Sequence, residues 1–357
     1  PKLQVMGLCA SASAEGHDEG DATDVANYKI LLLGSGGSGK STICKQITLM
    51  YGSGFSKSET EIHTTVIRSN TIGYMQKLLE ESERLSEEEE EGKDPSVYTI
   101  PEDLRPNMER VMSISRYSDT DHLTEEIAAD IAKLWESAPI KAIFQRKGVT
   151  LDDNTAYFLD KVNVLGEKNY LASQDDILRN RTRTSGVTLT KFSFNSTPMT
   201  LVDVGGQRGE RKKWARGIKG CTSVLFIAAI SSYDQKIEED LKTNRITEGL
   251  ALFEDVCKLP QLEGKSIIVF FNKHDIFLEK IKTIPLTVCE DLKDYTGPPT
   301  DPDKAIAHIQ EKFFARAGGR EIISHVTCAV DSENVRKIFE GVMDKILEET
   351  LKGGGLI

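Results

Sequence analysis

Nine consecutive residues constrain this chain more than any others: Gly34-Ser35-Gly36-Gly37-Ser38-Gly39-Lys40-Ser41-Thr42. They follow the apolar run 30–33 and open a helical pattern. A glycine-rich turn between a buried strand and a helix N-terminus can wrap backbone N–H groups around phosphate oxygens. Lys40 then reaches the β- and γ-phosphates, and the Ser41 hydroxyl serves Mg²⁺. The candidate phosphate contacts are Gly37, Ser38, Gly39, Lys40, Ser41 and Thr42. A loop of this kind requires an α/β sheet whose first strand is buried on both faces.

Further short apolar runs, 201–204, 224–230, 267–271 and 322–328, read as strands of the same sort. Helical patterns separate several of them. In the last, Val335, Phe339, Val342 and Ile346 recur along one helical face. The alternation predicts a doubly wound, largely parallel sheet. The block 57–176 interrupts it, offering helical periodicity and no convincing strand; Leu123, Ile127, Ile131, Leu134 and Trp135 form one stripe there. An inserted all-α domain is the simplest account. The expected division is a flexible start at 1–26, a nucleotide-binding domain from 27–56 and 177–357, and the helical insertion 57–176. Within the insertion, the glutamate run 87–91, followed by Gly92, Pro95, Pro101 and Pro106, reads as a solvated loop.

A formal net charge of -11 argues against general affinity for nucleic acid or anionic lipid, because phosphates would repel most of the surface. The six cysteines show neither CxxC pairs nor zinc spacing, which favours a reduced, cytosolic setting. The apolar runs are too short to span a bilayer, so any membrane contact is expected to come from lipid.

A phosphate loop leaves the base undecided. Asn272-Lys273-His274-Asp275 ends the apolar run 267–271, where an open α/β sheet places its ligand crevice. The Asp275 carboxylate can accept hydrogen bonds from guanine N1–H and the 2-amino group; adenine offers neither donor there. Asp203-Val204-Gly205-Gly206-Gln207 has the form of a γ-phosphate sensor, with an acid on the Mg²⁺ side, a glycine N–H for phosphate and a glutamine to orient water. Upstream, the stretch from Asp176 to Thr184 concentrates Arg179, Arg181, Thr182, Arg183 and Thr184.

With these motifs in place, residues from Tyr28 onward resemble the heterotrimeric G-protein α subunits. The most specific segment is 203–214, DVGGQRGERKKW, supported by DILRNRTRTSG at 176–186, NKHD at 272–275 and Thr327-Cys328-Ala329. The resemblance implies a Ras-like P-loop GTPase domain with an inserted helical domain, binding GTP/GDP and Mg²⁺. It makes Arg181 the arginine supplied in cis and Gln207 the water-orienting residue. Thr184 becomes the second protein ligand of Mg²⁺ beside Ser41. Asp153, Asn154, Leu178, Arg179, Asp203, Gly206, Asn272, Lys273, Asp275 and Ala329 complete the nucleotide contacts. It also implies that Arg211 pairs with Glu248 when the second switch is ordered. The implied partners are a βγ dimer, a seven-helix receptor or other exchange factor, and an RGS-type activator, at the cytoplasmic face of the plasma membrane.

Met6-Gly7-Leu8-Cys9-Ala10-Ser11 reads as a myristoylation signal on Gly7 with Cys9 available for palmitate, leaving residues 1–5 outside the native reading. Two acyl chains are the requirement for stable anchoring.

The chain departs from the family in four places. The segment 10–27 is short and acidic, where the family carries a basic amphipathic helix, so the element that would dock βγ is not legible. Val330 stands where threonine is common, and the tail ending in Leu356-Ile357 does not identify a receptor. Gly37 replaces a glutamate that pairs with the finger arginine, so Arg181 is expected to lack that partner and GDP to leave faster. Two competing readings are a GTP-binding scaffold without catalysis and a P-loop kinase or ATPase; the switch residues and Asp275 oppose them.

Overall fold

The computed structural model describes residues 28–87, 94–115, 122–146 and 151–353. The proposed lipid sites Gly7 and Cys9, most of the glutamate run and the tail lie outside the described residues. The chain forms two compact units. One runs to Phe55 and resumes at Thr182; the other is Ser56–Arg181.

The first unit is built on β1 (Tyr28–Leu33), β2 (Val187–Phe194), β3 (Thr197–Val204), β4 (Ser223–Ala229), β5 (Ser266–Asn272) and β6 (Ile322–Val326). Their order across the sheet is β2-β3-β1-β4-β5-β6. All neighbours are parallel except β2 and β3, which pair antiparallel. From β1 the chain reaches β3 on one side and β4 on the other, so the direction reverses at its C-terminal end, where such sheets bind ligands.

Uninterrupted apolar runs form these strands because both faces are covered. Leu31, Leu33, Val224, Phe226, Val269 and Phe271 pack beneath the helices Arg245–Cys257 and Pro302–Phe314 through Leu250, Phe253, Ile309 and Phe313. Ile30, Leu32, Leu225, Ile227, Ile268 and Phe270 face the helices α1 (Lys40–Tyr51) and Ser332–Gly353 through Ile43, Ile47, Val335, Phe339 and Met343. The predicted stripe Val335, Phe339, Val342 and Ile346 is buried throughout. Five of the six strands lie where the apolar runs lie. β2 is the exception: its alternating, half-exposed pattern places it at the sheet edge, where one face stays wet.

Among its described residues the second unit contains helices only, beginning with α2 (Lys57–Glu87). The predicted stripe falls on and just before the helix Glu125–Glu136, which Thr124 caps by accepting from the Ile127 N–H. Leu123, Ile131, Leu134 and Trp135 are buried, while Ile127 is only half-buried.

Candidate functional site

The phosphate loop leaves β1 and enters α1 in a path that only glycine follows easily. Gly34, Gly37 and Gly39 have φ of 142°, 73° and 106°. A Cβ on Gly39 would stand 2.1 Å from Asn272 Nδ2, and one on Gly34 2.2 Å from the Ile227 carbonyl oxygen. Lys40 folds back over the loop, its Nζ donating to the carbonyls of Gly34 and Ser35 at 2.9 Å each. Burial pulls its pKa down to about 8 against the opposing pull of Asp203. An arriving phosphate would favour the charged form, so the lysine's charge is matched to an anionic ligand.

Three segments far apart in sequence meet beside Lys40. Ser41 Oγ lies 2.7 Å from Thr184 Oγ1 and donates to Asp203 Oδ2 at 2.8 Å, while Thr184 Oγ1 reaches the same oxygen at 3.2 Å. Asp203 is buried, and desolvation raises its pKa although Lys40 and the two hydroxyls pull the other way. Its Oδ1 is buried without a hydrogen-bond partner, as is Ser38 Oγ in the loop. Buried polar atoms normally have partners. An orphaned carboxylate oxygen beside two hydroxyls is a hard-oxygen donor set that fits Mg²⁺.

Past β3, Gly205 accepts a hydrogen bond from Trp214 Nε1 at 2.8 Å. Gly206 has no room for a side chain, since its Cβ would stand 2.3 Å from Lys40 Nζ and 2.5 Å from the Gly34 oxygen. Gln207 follows at the edge of the loop: its Cγ lies 3.2 Å from the position of a Cβ on Gly36. The expected pairing of Arg211 with Glu248 is present at 2.5 Å, and Arg208 joins it, reaching Glu248 at 2.5 Å and Asp240 at 2.9 Å. Burial would raise the Glu248 pKa, but the two guanidinium groups outweigh it and hold the carboxyl below its ordinary range. Sequence reasoning did not find Arg208 in this network.

The NKHD motif is anchored by its asparagine. Asn272 Nδ2 donates to the Ser38 carbonyl at 2.9 Å, and Oδ1 accepts from the Ala329 N–H at 2.9 Å and Thr327 Oγ1 at 3.2 Å. One side chain thus joins the phosphate loop to the Thr327-Cys328-Ala329 segment. Lys273 adopts a left-handed conformation, φ 67°, and starts the helix His274–Lys280 with Asp275 exposed in its first turn. Burial pushes the neighbouring Cys328 thiol up to about 11, and the Asp275 carboxylate adds to the effect.

The remaining predicted residues, Asp153, Asn154, Leu178, Arg179 and Arg181, lie in the unit Ser56–Arg181. Asn154 Nδ2 donates to the Arg179 carbonyl at 2.7 Å, and Asn70 Nδ2 to the Arg181 carbonyl at 2.9 Å. Leu178 is buried, and the Arg179 guanidinium stands 4.8 Å from the centre of the Tyr157 ring. Their helix, Gln174–Arg179, is held by a buried group that sequence reading passed over. Asp176 closes a capping box with Ser173 and accepts from Lys161, Tyr157 and Tyr170. Desolvation raises its pKa, but these donors win and hold it down to about 2. The signal was a serine three residues before an acid.

Arg181 is paired with a carboxylate of its own unit, Asp152. Within its own unit, Gly37 faces Arg245, whose Nη1 lies 3.2 Å from where a Cβ would be. A side chain at 37 would crowd Arg245 Nη1, in a backbone conformation that disfavours any side chain.

The whole arrangement agrees with what this chain is similar to. The model of the G-protein alpha subunit family matches residues 11–346. The chain is 38% identical over 334 residues to the guanine nucleotide-binding protein G(o) subunit alpha of Caenorhabditis elegans, covering 92% of this chain and 91% of that protein. The G(o) alpha subunits of Planorbella trivolvis and Locusta migratoria are each 38% identical over 337 residues, with the same coverage. With a family match across most of its length and the glycine-rich loop, DVGGQ and NKHD motifs in one unit, the chain belongs to the G-protein α subunits, GTP-binding signal transducers that hydrolyse GTP.

Proposed function

We propose that GTP hydrolysis by this chain depends on Mg²⁺ held by Ser41 and Thr184, and on Arg181 and Gln207 acting at the γ-phosphate. The observation that carries the metal part is Asp203 Oδ1, buried and unpaired beside two converging hydroxyls. A bound Mg²⁺ would neutralise charge on the phosphate oxygens. Lys40 leaves the Gly34 and Ser35 carbonyls to meet the phosphates, and the Gly206 N–H donates to the γ-phosphate. Gln207 orients the attacking water, and the Arg181 guanidinium opposes the negative charge that spreads over the transferring group. Asp275 selects guanine. Asp153, Asn154, Leu178, Arg179 and the Ala329 segment complete the nucleotide contacts. The test is single-turnover phosphate release from bound GTP with Mg²⁺ and with EDTA. Release is expected to collapse in EDTA, and an equal rate in both would overturn the metal assignment.

The chain is further proposed to work on the cytoplasmic face of the plasma membrane with a βγ dimer, a receptor or other exchange factor, an RGS-type activator and an effector. Among the described residues no helix is long and apolar enough to cross a membrane. Gly7 and Cys9 would supply the attachment as acylation sites. Expressed in cells from Met6, the chain is expected in the membrane fraction and Gly7→Ala in the soluble one; a mutant still on membranes excludes the lipid route.

A further inference from the structure

The chain between β4 and the helix Arg245–Cys257 contributes an acid, Glu238, to which neither the family motifs nor the nucleotide chemistry assigns a role. Its side chain is only 23% exposed. Oε2 accepts from Arg183 Nη2 at 2.8 Å, and Oε1 lies 3.5 Å from Arg245 Nη2. Arg183 immediately precedes Thr184, whose hydroxyl sits on Ser41 and Asp203.

Arg245 is well placed to hold the acid. Its side chain is 12% exposed, its Nε donates to the Lys236 carbonyl at 3.2 Å, and its N–H donates to the Gln235 carbonyl at 2.9 Å. A second strut, Ile237 N–H to the Thr243 carbonyl at 2.9 Å, closes the same turn. Arg245 Nη1 also faces the phosphate loop, 3.2 Å from where a Cβ on Gly37 would stand. A continuous path runs from the loop through Arg245 and Glu238 to the residue next to Thr184.

We propose that Glu238 is a positioning residue for the Mg²⁺ site: by holding Arg183 it keeps Thr184 on Ser41 and Asp203, and Arg245, admitted against the loop by Gly37, holds Glu238 in turn. The proposal rests on Thr184 being a ligand of Mg²⁺. Arg183 is 69% exposed, so the pair works through a partly solvated contact and its effect is bounded at about two- to fivefold.

The experiment measures release of a fluorescent GDP analogue from the full chain against Mg²⁺ concentration. Glu238→Gln and Arg183→Gln are each expected to raise the Mg²⁺ concentration for half-maximal slowing by about two- to fivefold at low salt, and by less when the charges are screened. The double variant is expected to match either single one, because removing one partner already empties the interaction. In EDTA, Glu238→Gln is expected to release the analogue at the parental rate, which a general loss of structure would not allow. Thr184→Ala separates the two levels. If it shifts the Mg²⁺ requirement while Glu238→Gln does not, or if the two Gln variants add, the positioning role is overturned and the metal reading stands. If Thr184→Ala shifts nothing, the metal reading falls, and this proposal with it.

Discussion

Arg181→Ala and Gln207→Leu are each expected to abolish most GTP hydrolysis while leaving nucleotide binding intact. In the proposed mechanism both side chains act on what exists only during reaction: charge spread over the transferring phosphoryl group, and the line of approach of water. For the arginine the expected loss is on the order of a thousandfold or more, a magnitude carried over from G-protein α subunits themselves, which are the type case of an arginine supplied in cis. Such a loss corresponds to roughly 4 kcal/mol in the barrier. Gln207 stands beside Gly36 at the loop, and Arg181 is held on Asp152 within its own unit, so neither is needed to fill a core. Single-turnover phosphate release from preloaded GTP is the measurement. A parental rate in either variant would remove that residue from the mechanism and revive the reading of a binding scaffold.

Asp275→Asn is expected to weaken guanine nucleotides by at least about a hundredfold and to admit xanthine nucleotides. Two hydrogen bonds to a charged acceptor are at stake, each contributing roughly 1.5–3 kcal/mol. The amide that replaces the carboxylate turns a donor toward the base, which repels the guanine 2-amino group and suits the xanthine 2-oxo group. The structure favours a clean result. Asp275 is exposed in the first turn of its helix, while the buried work of the motif belongs to Asn272, which binds Ser38, Thr327 and Ala329. Competition between GDP and XDP for the variant decides the matter; unchanged guanine affinity would take Asp275 out of the base site.

Much of the fold was legible in the sequence because its signals are local. Strands buried on both faces must be apolar at every position, so 30–33, 224–230 and 267–271 announced themselves, and the phosphate loop and NKHD lie where such strands end. β2 escaped the same reading. Its VTLTKFSF alternates on an edge strand whose partner is set only by the hairpin to β3. The motifs of the proposed nucleotide site are likewise short runs of residue types with one chemistry each.

The sequence by itself determined where the glycine-rich loop, the DVGGQ segment and the NKHD motif lie and which family the chain resembles, because each of these depends on neighbours a few residues apart. Only the tertiary structure decided which charge meets which. Asp152 partners Arg181, Arg208 joins Arg211 on Glu248, Asp176 gathers Lys161 and two tyrosines, and Glu238 spans Arg183 and Arg245. With 45 basic and 56 acidic residues in the chain, charge alone allows very many pairings. The choice among them is made by strand register, helix starts and the room left by one glycine, and those follow from burial of the core across long stretches of chain.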